Sequence, residues 1–312
     1  MRRSQKTFLV TGIAGLIGSA LARRLLEDGS QVIGIDNLRT GLLGNIPNDA
    51  IFIEGNIQDP NLVDQLYSYS FDVIYHIAGQ SSGEVSFEDP LYDLQTNCQS
   101  TLLLLDLAKN KNCESFIYAS TMSVYGDLEN PEIPVIEETP VKPKSFYAIG
   151  KYASEEYMRV YSGTYGLNTT ALRLFNVYGP GQNMQNLKQG MVSIFLAQAL
   201  NGQKIIVKGS RNRFRDQIFV DDVIDAFVAA QLLNGDFKVY NIATGLKTTV
   251  ADVLNEMKRC GFDNDVQFVK GTPGDQFGIV GNSMRFQKDT GWQPLTSFRD
   301  GLEKMIVQIE EP

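Results

Sequence analysis

Thr7 to Thr11 reads as a buried strand, and the residues that follow it limit the fold more than any other feature of the chain. "Thr11-Gly12-Ile13-Ala14-Gly15-Leu16-Ile17-Gly18" is a glycine-rich turn that opens an apolar helix running to about Asp28. A second strand, Gln31 to Asp36, comes directly after and ends in an acid. Such a turn lets backbone N–H groups of Gly12, Gly15, Leu16 and Ile17 approach a pyrophosphate, with the positive end of the helix facing it. The carboxylate of Asp36, 18 residues beyond Gly18, is spaced to accept hydrogen bonds from an adenosine ribose and would repel a 2′-phosphate. Glycine motifs alone recur by chance. A strand before, a helix after and an acid at this distance make NAD the expected cofactor, in preference to NADP.

The alternation continues. Ile51 to Glu54, Val73 to His76, Ser115 to Ser120 and Thr169 to Phe175 are further strand-type runs, separated by helical stretches that include Pro90 to Lys109 and Phe146 to Tyr165. Strands divided by helix-length segments mean βαβ units and a parallel sheet. The expected architecture is α/β: a Rossmann-type doubly wound parallel sheet with a smaller mixed α/β C-terminal substrate lobe. Residues 1–176 form the NAD-binding part, rejoined by about 216–243, and 177–312 form mainly the substrate-binding lobe. "NVYGPGQN", from Asn176, reads as a loop.

Composition closes several other routes. The net charge of −8 argues against nucleic-acid binding, which needs a dense basic surface. No apolar run approaches the roughly 20 residues that cross a bilayer, and the apolar stretch Phe8-Leu9-Val10 is too short for a signal-peptide core. A cytoplasmic protein without membrane contact is expected. Three scattered cysteines, Cys98, Cys113 and Cys260, give no CxxC pair, and His76 is the only histidine, so no metal site is expected.

Tyr147 and Lys151 lie four residues apart, on one face of the expected helix. A pair at this spacing is common in any helix, and the rest of the chain has to decide its meaning. Together with the G-x-x-G-x-x-G spacing of the first turn, Tyr147-x-x-x-Lys151 resembles the extended short-chain dehydrogenase/reductases, and among them the nucleotide-sugar epimerases and dehydratases. The resemblance covers almost the whole chain. It includes "DNLRTG" (Asp36 to Gly41), "HIAGQ" (His76 to Gln80), "STMSVYG" (Ser120 to Gly126), "LRLFNVYGPGQ" (Leu172 to Gln182), "FRDQIFVDDV" (Phe214 to Val223) and "YNIATG" (Tyr240 to Gly245).

The resemblance implies roles for individual residues. Tyr147 would be the general base, its pKa, near 10 when free, lowered by Lys151 and by the positive ring of the oxidised cofactor. Lys151 would also hold the nicotinamide ribose, and Thr121 would bind the reacting sugar oxygen. Asn37, Asn56, Ile57, Ala78 and Gly79 fall in cofactor-lining blocks. Asn56 replaces a family aspartate at the adenine, and its amide oxygen can still accept that bond. On the substrate side are Ser123, Asn176, Met191, Arg215 and Asp275, with Arg215 on the diphosphate as a bidentate donor. The family's usual second arginine is here Thr272. Met122 and Ser123 stand where family 4,6-dehydratases carry an acid, so dehydration is not expected.

His76, Tyr125 and Tyr178 read as structural core residues, and the Leu102 to Leu105 run as core or interface. The expected activity is a UDP-glucose/UDP-galactose-type 4-epimerase working on a nucleotide-diphosphate sugar. The alternatives are a 4-keto-sugar reductase, an epimerase for another nucleotide sugar, and an NAD-sensing regulator on the same fold. The resemblance also implies a homodimer, two helices of each subunit forming a four-helix bundle.

Overall fold

The computed structural model describes residues 5–271 and 276–310. Its centre is a seven-stranded sheet built from β1 (Thr7–Thr11), β2 (Gln31–Asp36), β3 (Ile51–Glu54), β4 (Val73–His76), β5 (Ser115–Thr121), β6 (Thr169–Leu174) and the strand Lys238–Ile242. The spatial order is Lys238–Ile242, β6, β5, β4, β1, β2, β3, with every pair parallel. Because the order reverses at β1, helices cover both faces, which is the doubly wound arrangement.

The strand sequences explain why. A sheet covered on both sides needs apolar residues at successive positions, not at alternate ones. In β1, Phe8 and Val10 enter the core on one face and Leu9 the core on the other. In β5, Ile117 and Ala119 face the first core, and Phe116 and Tyr118 the second. Helix α1 (Leu16–Glu27) packs on the first face with Leu21, Ala22 and Leu25. Helix α2 (Pro60–Leu66) covers the second, capped by Asp59, whose side chain accepts from the Asn61 N–H.

The helical stretch from Pro90 is not continuous. Helices α3 (Gly83–Glu88) and α4 (Pro90–Leu94) are short, Gln95–Gln99 is a π turn, and α5 (Ser100–Asn110) resumes the α pattern. The extra residue of the wide turn redirects Asn97 and Cys98. Helix α6 (Phe146–Tyr165) starts at Ser145, whose hydroxyl accepts from the Ala148 N–H at 3.1 Å, and stops at left-handed Gly166.

Asn176–Tyr178, expected as a loop, is a short strand paired in parallel with Gln217–Phe219. Sequence gave no sign of it because three residues carry no periodicity. Two further pairs lie in the second half: Ile205–Lys208 with Val266–Val269, packed against α7 (Met191–Leu200), and Phe214–Arg215 with Thr248–Thr249. Helix α8 (Val220–Ala230) then returns to pack against α1, ahead of the strand Lys238–Ile242. No helix among the described residues is long and apolar enough to cross a membrane.

Candidate active site

One cleft of about 970 Å³ runs along the C-terminal ends of the strands into the second half of the chain. At one end it is lined by Gly12, Gly15, Leu16, Ile17, Asp36, Asn37 and Ile57. Ala78, Gly79, Thr121, Ser123, Tyr147 and Lys151 line its middle, and Asn176, Met191 and Arg215 its far end. Ligands of open α/β sheets bind at this edge, where the strand order reverses. Asp275 and Thr272 lie outside the described residues. Asn56 is exposed and does not line the cleft. Its Oδ1 already accepts from Asn37 Nδ2 at 2.7 Å, so an adenine amine would have to share that oxygen.

The glycine turn is built by close packing. A Cβ on Gly18 would lie 2.0 Å from the Gly12 carbonyl oxygen, so only glycine lets α1 start this near the turn. Gly15 caps α1 without any side-chain hydrogen bond, and no acid stands in the first turn. That end therefore offers N–H donors and positive potential to an anion. Asp36 accepts from the Ala14 N–H at 3.0 Å and the Leu38 N–H at 2.9 Å, which fixes its carboxylate at the cleft wall. Burial raises its pKa, and these N–H groups counter the rise. Arg39 stacks over the Tyr92 ring, 3.8 Å from its centroid. Farther along, a Cβ on Gly79 would meet Asn97 Oδ1 at 2.6 Å and Lys151 Nζ at 2.9 Å. The bare backbone there leaves room for the ammonium. These features suit an extended dinucleotide with its pyrophosphate at α1 and its nicotinamide ribose near Lys151.

Lys151 is 3% exposed, and its Nζ donates to the Ala119 carbonyl at 3.0 Å while sitting 4.7 Å from the Tyr118 ring. Burial brings its pKa down to about 8, against the negative charge of Asp93. Burial pushes the Tyr147 phenol up to about 12, with the Thr121 hydroxyl opposing and Asp93 adding to the rise. Within the chain alone, burial outweighs the help expected from Lys151, so Tyr147 stays a neutral phenol at physiological pH. Thr121 ends β5 and caps the turn Met122–Tyr125, its Oγ1 accepting from the Ser123 N–H at 3.2 Å.

Arg215 is 7% exposed and not a solvated surface cation; it donates to the carbonyls of Phe214 at 2.8 Å and Gln276 at 2.9 Å. Asn176 lines the cleft with an Oδ1 that has no protein partner among the described residues. His76 is fully buried between Thr11 Oγ1 (2.9 Å) and the hydroxyls of Ser100 and Thr101 (3.2 Å each). Burial first, and then the charge of Lys151, holds its pKa well below the ordinary value, as befits a neutral structural residue. Tyr125 and Tyr178 are likewise buried.

Sequence reading missed the wall formed by Gln80, Ser81 and Ser82, and the carboxylates Glu84 and Glu88 of α3, all lining the cleft. Those two glutamates pair with Lys208 at 2.8 Å and Lys188 at 2.7 Å. Only the polar run Gln95-Thr96-Asn97 ahead of four leucines hinted that the helix behind this wall was irregular.

Residues 8–243 match the model of the NAD dependent epimerase/dehydratase family. The chain belongs to that family. It is an NAD-dependent enzyme of the nucleotide-sugar epimerase type. A UDP-glucose 4-epimerase from Mycolicibacterium smegmatis is 34% identical over 305 residues, 96% of each chain. The structure of a Thermotoga maritima UDP-glucose 4-epimerase with UDP-glucose superposes with a TM-score of 0.93 at 33% identity, covering 98% of this chain and 99% of that one. A Bacillus cereus UDP-glucuronic acid 4-epimerase, in complex with UDP-glucuronic acid and NAD, gives 0.89 at 28% identity, covering 98% and 99%.

Proposed function

We propose that this family member is a nucleotide-sugar 4-epimerase of the UDP-glucose/UDP-galactose type, working through a transient 4-keto sugar. The observation that carries the reading is the middle of the cleft. Tyr147, Thr121 and Lys151 meet there, and the residues after Thr121 are Met122 and Ser123, neither of which can serve as a dehydratase acid. The only described carboxylates lining the cleft are Asp36, at the glycine-turn end, and Glu84 and Glu88, each paired with a lysine. The UDP-glucose 4-epimerases at 33–34% identity support the same reading.

In this reading Thr121 holds the sugar 4-oxygen and Tyr147 takes its proton, returning it when the opposite configuration forms. NAD, when bound, would supply the hydride acceptor and donor for sugar C4 and a positive charge that favours the phenolate. Lys151 holds the nicotinamide ribose, and its positive charge favours the phenolate. Gly12, Gly15, Leu16 and Ile17 hold the pyrophosphate, Asp36 and Asn37 the adenosine ribose, and Ile57 the adenine. Ala78 and Gly79 flank the nicotinamide half. Arg215 and Asn176 bind the substrate diphosphate, Met191 packs on its base, and Ser123 faces the sugar. Residues 1–176, with the return through 216–243, act as the cofactor-binding part, and the remainder chiefly as the substrate lobe.

Incubation with UDP-glucose, UDP-galactose, UDP-glucuronate and UDP-N-acetylglucosamine, followed by NMR of the products, tests this. Interconversion of the first two without added NADH is expected. Turnover confined to one of the others would reassign the sugar. Consumption of NADH with a 4-keto sugar, and no interconversion, would make the enzyme a reductase.

The same reading includes a cytoplasmic homodimer. Leu91 and Leu94 on α4, and Phe146, Ile149 and Val160 on α6, are exposed apolar side chains on adjoining helices. Covering them with a second copy gives an isologous two-fold contact. Light scattering at micromolar concentration should give twice the chain mass. The mass of a single chain would sink the dimer.

A further inference from the structure

Asp93 is a carboxylate on α4 with 1% exposure, buried behind the cleft wall. Its Oδ2 accepts from Gln80 Nε2 at 2.7 Å, and its Oδ1 has no partner among the described residues. A buried carboxylate with only the neutral side chains of Gln80 and Asn97 to favour its charge is costly, and an asparagine could accept the Gln80 bond without a charge. Something else must make the charge worth keeping. A Cβ on Gly150 would lie 3.4 Å from Asp93 Oδ1, so the carboxylate faces the α6 backbone at the residue just ahead of Lys151. Asn97, whose Nδ2 donates to the Gln80 carbonyl at 2.9 Å, places its Oδ1 on the Lys151 side of the same wall.

Resting on the reading of Tyr147 and Lys151 as the working pair, we propose that Asp93 is a positioning residue. It is the buried counter-charge of Lys151, and through Gln80 it anchors the wall Gln80–Ser82, since Gln80 Nε2 also donates to the Ser82 carbonyl and Gln80 Oε1 accepts from the Ser82 N–H. Lys151 is faced by Asp93 from α4, Cys98 from the π turn, Tyr118 from β5, His76 from β4 and Tyr147 on its own helix. Burial keeps the Cys98 thiol, the Tyr118 and Tyr147 phenols and the His76 ring neutral. Burial raises the Asp93 pKa as well, but Gln80, Asn97 and the charge of Lys151 oppose that rise, so Asp93 is the one group of that set whose charged form its neighbours favour. Its charge favours the ammonium of Lys151 and opposes a phenolate at Tyr147. Removing it must therefore move both titrations to lower pH.

The test is Asp93→Asn in the full-length protein with the cofactor it is purified with. Lys151 is followed by lysine side-chain carbon NMR, assigned with Lys151→Arg, and turnover is measured against pH. Lys151 should titrate about one pH unit lower, the scale of a lost buried opposite charge, and the turnover profile should move to lower pH with it. Asp93→Glu, which restores the charge, should bring the titration back. An unmoved Lys151 titration in Asp93→Asn overturns the proposal. A shifted titration with an unshifted turnover profile upholds the counter-charge and sinks the assignment of the working pair instead. Should Asp93→Asn not fold, Asp93→Ser carries the same test, since it also removes the charge.

Discussion

Tyr147→Phe should reduce turnover on the order of 10²–10⁴-fold, the usual contribution of a positioned acid–base group. The change removes one oxygen and keeps the ring, so the helix start capped by Ser145 and the packing of α6 survive it. Substrate and cofactor binding should therefore change little, and the loss should fall on kcat and not on KM. The size follows from the environment. Burial holds the phenol at about 12 against the help of the Thr121 hydroxyl, so the free chain binds the proton firmly. Lowering that barrier depends on positive charge assembled around the phenol at the moment of reaction. A Phe variant lacks the group on which such charge acts. Full activity in Tyr147→Phe, measured with the substrate found in the panel, would remove Tyr147 from the mechanism.

Arg173→Met should destabilise the fold by about 3–5 kcal/mol, the cost of leaving a buried charge without its partner. Arg173 Nη2 donates to Glu155 Oε2 at 2.7 Å and Nε to Oε1 at 3.0 Å, with the side chains 5% and 2% exposed. Nη1 adds the Tyr125 hydroxyl at 3.0 Å and the Glu137 carbonyl at 3.2 Å, and Ser120 Oγ donates to Glu155. One ion pair thus ties β5, β6 and α6 together directly beneath Thr121. Urea unfolding monitored by circular dichroism would measure the loss. Adding Glu155→Leu to Arg173→Met should recover much of it, because the stranded carboxylate is then gone. A single variant as stable as the wild type would show that the pair holds nothing.

Six of the sheet's seven strands were legible because they are short apolar runs bounded by turns, and because the glycine turn before α1 has a steric reason to be glycine at residue 18. Tyr147 and Lys151 were legible as a helical pair, and Thr121 through the block around it. Three features were not. The π turn at Gln95–Gln99 lies against α6 and has no mark in the residue spacing, so Asp93 could not be placed beside Gly150, nor Asn97 beside Lys151, from spacing. The strand Asn176–Tyr178 exists only because residues 217–219 pair with it from far along the chain. The protonation of Tyr147 depends on how deeply its oxygen is buried, a quantity no local pattern records.

The seventh strand has a further consequence during synthesis. Lys238–Ile242 pairs with β6, yet residues 175–237 separate the two along the chain. At about 5–20 residues per second, a ribosome needs roughly 3–13 s to make that interval. Until then β6 presents an open row of backbone donors and acceptors, the kind of edge on which a second chain can pair. Helix α8, which packs on α1, reaches the exit only late in the same interval. A nascent chain of this protein is thus most vulnerable to wrong pairing after the cofactor turn has already formed, and slowing translation within 175–237 lengthens that exposure.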